Sequence, residues 1–528
     1  MLWQCDRANR RLLLAMLQVN ASLRHHCPNP RSPLPPAMEK AAPTAVARKR
    51  ESDGIAGSRP RNRARGGNYD GNWVAEDPIS RLPDAILGTI ISLLPTKDGE
   101  RTQALSRRWH HLWCSAPLHL QANSSLCSSL RWRPTIINRI LSDHPGPARR
   151  FHFPFIQFTP GDIDSRRTEL DGWCQSRALD GLQELNIYYG RWSREPPHIS
   201  FLLPTSALRF APTLLVLKIG SCNFPSEISP SLSFPLLKQL ILRCVSISED
   251  VFDQVLSGCR ALESLQLWDI LTARRLHIRS LTLRSIGSRA RSACTQELVI
   301  EDAPCLERFV SLYPPDISFE TIRVIGAPKL KILGLFSPCV STLQIATLVV
   351  KGMSPVSLAN SICTVKVLAL YSSGSQLNAV LNILRCFPRL EKLYFTLKKH
   401  PKMDMKNVHL CDPLDPIECL AIHLKKLVFE NYKGRHQDAD FAKFFILTAK
   451  VLKEIKISSP KGNDIKWVDD QHKLLQVEDR ASRDAGPEFR SEFSCLGKTK
   501  QIHDLLDDPF DCSCCRIKCN VLSGESCP

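Results

Sequence analysis

The short apolar pattern L-x-x-L-x-L returns ten times between residues 182 and 457, with other apolar residues sometimes replacing leucine. The last two apolar positions alternate, so their side chains lie on one face of a short strand, and the first fills the bend before it. No single unit can bury these side chains, so the units must stack, with a parallel sheet along one wall. The ten triplets are Leu182-Leu185-Ile187, Leu214-Leu217-Ile219, Leu237-Leu240-Leu242, Leu262-Leu265-Leu267, Ile278-Leu281-Leu283, Leu330-Leu333-Leu335, Val365-Leu368-Leu370, Leu390-Leu393-Phe395, Leu424-Leu427-Phe429 and Leu452-Ile455-Ile457.

The units are unevenly spaced, with polar or helical stretches between them, such as Ser248–Cys259 and Leu377–Phe387. This arrangement indicates an irregular leucine-rich repeat, which we place at residues 121–410. Cys244 follows its strand at the position where the repeat pattern has Asn or Cys. An ordinary α/β domain with buried strands is the alternative, and ten recurrences of one template argue against it.

Residues 77–120 carry a second concentration of apolar side chains and predict three short helices. Pro83 suits the first turn of a helix, where its missing N–H costs nothing, and Pro95 ends that helix. Trp109 and Trp113 are four residues apart and share a helix face. About 45 residues cannot build a sizeable core, so the spare apolar face is expected to meet the rest of the chain or another protein.

The pattern after residue 411 predicts a strand, a loop, a helix and a second strand. The ninth and tenth triplets mark the two strands, and Asp440 lies near the start of the helix, where a negative charge is favoured. The apolar residues of the predicted helix are Phe441, Phe444, Phe445 and Leu447. We place this α/β unit at residues 411–512, followed by a cysteine-rich tail at 513–528.

Two segments resemble known plant domains. The segment Asp77–Gln121, with DPISRLPDAILGTIISLLP and SRRWHHLW, resembles a plant F-box. DPIECL at 415–420 and the sequence at 423–457 resemble the FBD domain of plant F-box proteins, and IHDLLDDPFDC at 502–512 resembles its end. The resemblance implies an α/β fold with a small three-helix F-box, an irregular leucine-rich-repeat solenoid with a parallel sheet, and a final FBD α/β unit, preceded by a disordered leader.

The resemblance also implies a function. An F-box docks on a Skp-family adaptor, and through it on a cullin scaffold, so the chain is expected to be the substrate-recognition subunit of an SCF-type E3 ubiquitin ligase. The repeats and the FBD domain would hold an unidentified target protein for ubiquitin-dependent degradation. The residues assigned to adaptor contact are Leu82, Pro83, Ile86, Leu87, Ile90, Leu93, Leu94, Leu105, Trp109 and Trp113. The alternative for any one of them, and especially for Leu94, Leu105 and Trp113, is packing inside the F-box or onto the solenoid.

The second predicted helix departs from the family. F-boxes of this kind commonly read T-K-D-A-V-R-T, whereas this chain has Gly99 and Glu100 in place of the alanine and valine. Glycine in a helix interior costs up to about 1 kcal/mol. Glu100 replaces an apolar side chain that we expect to be half-buried, so both changes are expected to weaken the motif or its docking.

Composition limits the other functions. Residues 1–76 predict a disordered basic leader, rich in proline and arginine, and the formal net charge of +18 is spread along the chain. The two basic clusters in Ala47–Arg65 are either a nuclear import signal or part of a solvated tail. We expect no nucleic-acid binding because no recognised module is present, and no membrane span because no apolar run is long enough. The 21 cysteines are then reduced thiols, and the expected location is nucleus or cytoplasm.

Catalytic and metal-binding motifs are not evident. The sequence has no P-loop, no G-x-S-x-G and no H-E-x-x-H motif, and we expect a non-catalytic protein without a cofactor. The C-terminal cluster C-x-C-C-x-x-x-C, from Cys512 to Cys519, lacks the paired C-x-x-C spacing of zinc ribbons. We therefore predict a reduced tail rather than a metal site there.

Two alternative functions remain at the level of sequence. The first is a non-ligase interaction protein that binds partners through its repeats and carries a decayed F-box. Gly99 and Glu100 are the sequence departures that suggest it. The second is a ligand-dependent co-receptor, in which a small molecule joins repeats and target in a concave pocket.

Overall fold

The computed structural model divides the chain into two compact units, Met1–Ile90 and Ile91–Pro528. The predicted leader at 1–76 and the cysteine-rich tail at 513–528 lie outside the described residues. Within the described part, no helix combines the length and the apolar character needed to cross a bilayer. The described residues are 79, 81–122, 126–127, 133–144, 147–156, 163–189, 201–290, 296–311, 319–337, 340–372, 377–397, 416–462, 464–491, 502–506 and 508–511.

Helices and strands alternate along these residues. The α-helices are α1 (Asp84–Leu93), α2 (Thr96–Thr102), α3 (Arg107–Ser115), α4 (Arg133–Asp143), α5 (Ile163–Gln175), α6 (Glu249–Ser257), α7 (Leu377–Arg385), α8 (His436–Thr448) and α9 (Ile465–Leu474). The strands are β1 (Leu118–Gln121), β2 (Ala148–Ile156), β3 (Glu184–Tyr189), β4 (Val216–Gly220), β5 (Gln239–Arg243), β6 (Ser264–Trp268), β7 (Arg275–Arg279), β8 (Ser285–Arg289), β9 (Glu297–Glu301), β10 (Arg308–Ser311), β11 (Thr321–Val324), β12 (Ile332–Phe336), β13 (Thr342–Ile345), β14 (Leu348–Lys351), β15 (Ser354–Pro355), β16 (Val367–Ser372), β17 (Lys392–Leu397), β18 (Lys426–Glu430), β19 (Glu454–Ser458) and β20 (Pro487–Arg490).

Fourteen of the described strands form one sheet in the order β1-β2-β3-β4-β5-β6-β8-β10-β12-β16-β17-β18-β19-β20. Every neighbouring pair in it is parallel, as in Leu217 beside Leu240 and Leu240 beside Leu265. Each repeat therefore adds one strand, and the helices and loops between strands supply the crossovers that parallel pairing needs. The predicted parallel-sheet solenoid is confirmed.

The two faces of this sheet differ. Most of the alternating triplet residues form the inner face, which packs against helices; Phe395 stacks on Phe429 at a centroid distance of 5.4 Å and meets Phe445 of α8 at 5.1 Å. The residues between them, such as Gln266 and Lys392, form what we call the outer face. Because strand side chains alternate between faces, these residues lie on the side of the sheet opposite the triplet leucines. The predicted position of Leu335 is wrong, because the register shifts within β12: Phe336 lies beside Leu370, and Leu335 belongs to a cluster on the opposite face.

One predicted triplet, Ile278-Leu281-Leu283, is wrong as a single unit. Ile278 lies in β7, which belongs to a second sheet of described strands in the order β15-β14-β13-β11-β9-β7, and Leu281 is 71% exposed. The strand that continues the main sheet is β8, where Ser288 takes the place of the last leucine. A buried serine breaks the apolar pattern, so the sequence template misplaced the strand.

The FBD region continues the solenoid. Strands β18, β19 and β20 extend the main sheet in parallel beyond β17. The predicted strand, helix and strand lie here as β18, α8 and β19, with Phe441 and Phe445 buried on the inner face. The FBD region and the repeats therefore share one sheet.

A left-handed backbone residue follows several strands directly. Ser221, Cys244, Asp269 and Asn431 have φ angles of 52°, 51°, 55° and 60° and come after β4, β5, β6 and β18. Aspartate and asparagine tolerate this region better than other residues with a side chain, whereas cysteine is unusual in it. The position of Cys244 in the repeat is thus a sharp bend at the end of a strand.

Candidate adaptor-binding and target-binding sites

The predicted adaptor-binding residues of the first unit differ in exposure. Pro83 directly precedes α1, and its carbonyl accepts hydrogen bonds from the backbone N–H groups of Ile86 and Leu87 at 3.0 and 3.1 Å. Pro83 is exposed, Ile86 is 48% exposed and Leu82 is half-buried, whereas Leu87 and Ile90 are buried. The first three are therefore accessible to a partner protein.

The predicted residues of the second unit are mostly buried. Leu94, Trp109 and Trp113 are buried, Leu93 is half-buried and Leu105 is 52% exposed. Trp113 meets the ring of His144 edge to face at a centroid distance of 5.3 Å. Burial of the two tryptophans in the chain alone favours a packing role for them, and Leu105 is accessible.

Trp113 also explains why α2 has Gly99 where F-boxes of this kind commonly have alanine. A Cβ atom at Gly99 would overlap the six-membered ring of Trp113. The hydroxyl of Thr102 donates to the carbonyl oxygen of Gly99 at 2.6 Å, and the hydroxyl of Thr96 donates to the carbonyl oxygen of His119 at 2.5 Å. The absence of a side chain at Gly99 thus leaves the room into which the indole of Trp113 packs. Glu100, which we expected to replace a half-buried side chain, is exposed.

A short C-terminal segment crosses the outer face of the sheet. We call residues 502–511 the strap; Asp507 within it is not described. At its start, the Ser264 hydroxyl donates to His503 Nδ1 at 2.6 Å, and His503 Nε2 donates to Gln266 Oε1 at 3.2 Å. Burial, together with the charge of Lys218, lowers the pKa of His503 to about 4, and the neutral ring fits these two bonds.

The rest of the strap is held by cationic side chains. The Arg308 guanidinium donates to the carbonyl oxygens of Asp504 and Leu505. Lys392 Nζ lies 2.9 Å from a carboxylate oxygen of Asp508, which also accepts the Tyr394 hydroxyl at 3.0 Å. Lys426 Nζ lies 2.6 Å from Asp511 Oδ2. The strap thus runs from β6 to β18.

Two apolar side chains of the strap fit the outer face. The side chain of Ile502 occupies the space that a Cβ atom at Gly287 would take. Phe510 meets the ring of Tyr394 at 5.4 Å. Its buried cluster comprises Val310, Ile332, Leu335, Val367, Ala369, Tyr371, Tyr394 and Val428.

Another part of the outer face carries an alternating series of aromatic and cationic side chains. Tyr188 covers Gly220, where a Cβ atom would overlap its ring. The Arg243 guanidinium lies 5.4 Å from the ring centroid of Tyr188 and 4.1 Å from that of Trp268. Arg289 lies 4.8 Å from Trp268 on the other side. Stacked aromatic rings and guanidinium groups of this kind are typical anchors of binding surfaces.

Comparison with known proteins agrees with the order of these regions. The F-box domain model matches residues 79–121, the model "FBD-associated F-box protein At5g56370, LRR repeats" matches 170–395, and the FBD model matches 412–457. The Arabidopsis thaliana FBD-associated F-box protein At5g60610 is 26% identical over 409 residues, 72% of this chain and 100% of the relative. The F-box/LRR-repeat protein At3g03360 of the same plant is 32% identical over 252 residues, 46% of this chain and 49% of the relative. The chain belongs to the F-box/LRR/FBD family of plant proteins.

Membership in this F-box/LRR/FBD family supports a repeat-based interaction role. The F-box implies binding to a Skp-type adaptor, and the repeats imply binding to a target. Sequence reasoning names no target-binding residue. The available signal was the run of aspartates in IHDLLDDPFDC, together with the cationic residues Arg308, Lys392 and Lys426 on the strands.

The family is of the adaptor type and generally non-catalytic. Burial raises the pKa of the thiols of Cys174 and Cys259 to about 12 and that of Cys386 to about 11, so these thiols carry no thiolate at neutral pH. Within the described ranges, no group of three or more His, Cys, Asp or Glu side chains is placed to hold a metal. The cluster at Cys512–Cys519 lies outside them.

Proposed function

We propose that this F-box/LRR/FBD protein is the substrate-recognition subunit of an SCF-type E3 ubiquitin ligase. The F-box docks on a Skp-family adaptor, and the solenoid holds a target near the ubiquitin-charged conjugating enzyme. The chain supplies proximity and orientation rather than bond chemistry.

The observation that carries this proposal is the exposure of Pro83 and Ile86 in the first unit, beside the buried Leu87 and Ile90; in the second unit, Leu105 is exposed as well. Such residues contribute nothing to the chain's own core while they face water. They are the type of side chain that anchors a protein interface when a partner covers it.

A pull-down with a purified Skp-family adaptor tests the proposal. We expect the intact chain to capture the adaptor, and Leu82→Ala/Pro83→Ala and Ile86→Lys each to reduce the capture at least tenfold. Ile465→Lys is the matched control, because Ile465 is an isoleucine at the start of α9 and is 79% exposed. Leu105→Lys tests the second unit separately.

Three outcomes separate the alternatives. Capture lost in the F-box variants but kept in Ile465→Lys supports the ligase role. An intact chain that captures no adaptor contradicts it and favours a repeat-based interaction protein with a decayed F-box. Equal capture by all variants contradicts the assignment of Leu82, Pro83 and Ile86.

A further inference from the structure

The strap lies on the main sheet as a ligand would, rather than as an added strand. In the described part of the chain, no strand pairs with it. Its contacts run across the strands and come from side chains of the outer face, with Arg308 reaching two of its carbonyl oxygens. A segment held in this way can leave without breaking the ladder of the sheet.

Charge complementarity holds the second half of the strap. Lys392 and Lys426 meet Asp508 and Asp511. Lys426 is 8% exposed and also lies 2.8 Å from Glu454, so it keeps one carboxylate partner without the strap. Two cations placed on neighbouring strands β17 and β18 form a site for two carboxylates at a defined spacing.

An apolar pocket lies beside these cations. Phe510 fills it against Tyr394, Val428 and Val367. Without the strap, this surface would be an exposed apolar patch rimmed by positive charge, which is typical of an interaction site. The outer face therefore combines an aromatic pocket with flanking sites for carboxylates.

The strap is shaped by its own hydrogen bonds. The carboxylates of Asp504 and Asp508 accept the backbone N–H groups of Leu506 and Phe510, each at 3.1 Å. The N–H of Asp511 donates to the carbonyl oxygen of Asp508 at 3.1 Å. On the sheet these turns hold the aromatic ring between two carboxylates, and preorganisation by such local hydrogen bonds favours binding.

We propose that the outer face beneath the strap is the recognition surface for a target peptide that carries an aromatic side chain between two carboxylates, and that the strap occupies this surface in cis. The proposal rests on the proposed function, because that function requires the repeats to bind a target. A target peptide displaces the strap and takes over its contacts with Lys392, Lys426 and the Tyr394 pocket.

A labelled synthetic peptide of residues 502–511 is the probe. It is titrated against the full-length chain and against a release variant with Asp508→Asn, Phe510→Ala and Asp511→Asn, and binding is followed by fluorescence anisotropy. A segment tethered through a short linker competes at an effective concentration of about millimolar. We therefore expect the release variant to bind the peptide at least tenfold more tightly than the parent chain.

Two controls identify the surface. A peptide carrying the same three substitutions should not bind the release variant. Adding Lys392→Met and Lys426→Met to the release variant should weaken binding of the parent peptide at least tenfold. Equal binding by parent chain and release variant, or equal binding of the two peptides, overturns the proposal.

Hydrogen exchange in the parent chain covers the case in which the release variant fails to fold. We expect the amides of Leu506 and Phe510 to exchange at least tenfold faster than those of β17, because the strap leaves while the sheet stays formed. Exchange at equal rates would make the strap an integral part of the fold and overturn the proposal. Adaptor capture by the same proteins tests the ligase role separately, so the two failures are distinguishable.

Discussion

Gly99 and Trp113 share one space in the F-box, and this pairing gives a prediction at the scale of the residue. Gly99→Ala places a methyl group against the indole and should lower the free energy of unfolding by about 1–3 kcal/mol. Gly172→Ala in α5 is the matched control, because no atom lies within 4 Å of its added Cβ; it should raise stability by about 0.4–1 kcal/mol. Urea unfolding measures both. A stabilising Gly99→Ala would contradict the packing argument.

Glu100 gives a second prediction at this scale. Its side chain is exposed in the chain alone, so Glu100→Val should change stability by less than about 0.5 kcal/mol. The same change restores the family's apolar residue and should tighten adaptor binding severalfold in a titration. Glu100→Gln separates the loss of charge from the gain of an apolar surface. Equal adaptor affinity of Glu100→Val and the parent chain would refute the prediction.

At the scale of the element, β1 and β2 carry two histidines that make stability depend on pH; His119 is buried and His152 is half-buried. Burial, with the charges of Arg150 for His119 and Lys218 for His152, lowers the pKa of each from 6.5 to about 4. The unfolded chain therefore takes up protons first as pH falls. Above pH 6.5 these histidines leave the free energy of unfolding at its full value. It decreases as the pH falls towards 4, by about 2 kcal/mol per histidine at pH 5.

Denaturant unfolding at pH 7.5 and pH 5 checks this. The double variant His119→Gln/His152→Gln should lose less stability between these two pH values than the parent chain. His111→Gln, at an exposed histidine outside these strands, is the control for the substitution itself. A double variant with the parent's full pH dependence would show that these strands are not its source.

At the scale of the whole molecule, one sheet joins the repeats to the FBD region. Strand β17 pairs with β18, and Phe395 on β17 packs on Phe429 and Phe445 of the FBD region. A fragment of residues 411–528 should therefore show no cooperative unfolding in circular dichroism. In the full chain, Phe395→Ala should cost about 3–5 kcal/mol, and the half-buried Phe444→Ala clearly less. A fragment that unfolds cooperatively would show that the FBD region is an independent domain.

The sequence by itself determined the class of fold and the place of most strands. Alternating leucines such as Leu240 and Leu242 require a strand with one buried face, and a unit too small to bury them requires a neighbour. This reasoning depends on local spacing, so it holds wherever the inner positions are apolar. It failed at β8, where Ser288 is buried.

Only the tertiary structure decided which apolar side chains stay exposed, why Gly99 is glycine, and what covers the outer face. Each depends on residues far apart in the chain: His503 meets Gln266, 237 positions away, and Asp511 meets Lys426, 85 positions away. Such contacts leave no periodic signal, because the ordering of a distant segment is favoured by the shape and charge of the surface it meets and not by its neighbours in sequence. The exposure of Pro83, Ile86 and Leu105 likewise depends on how the residues around each of them pack.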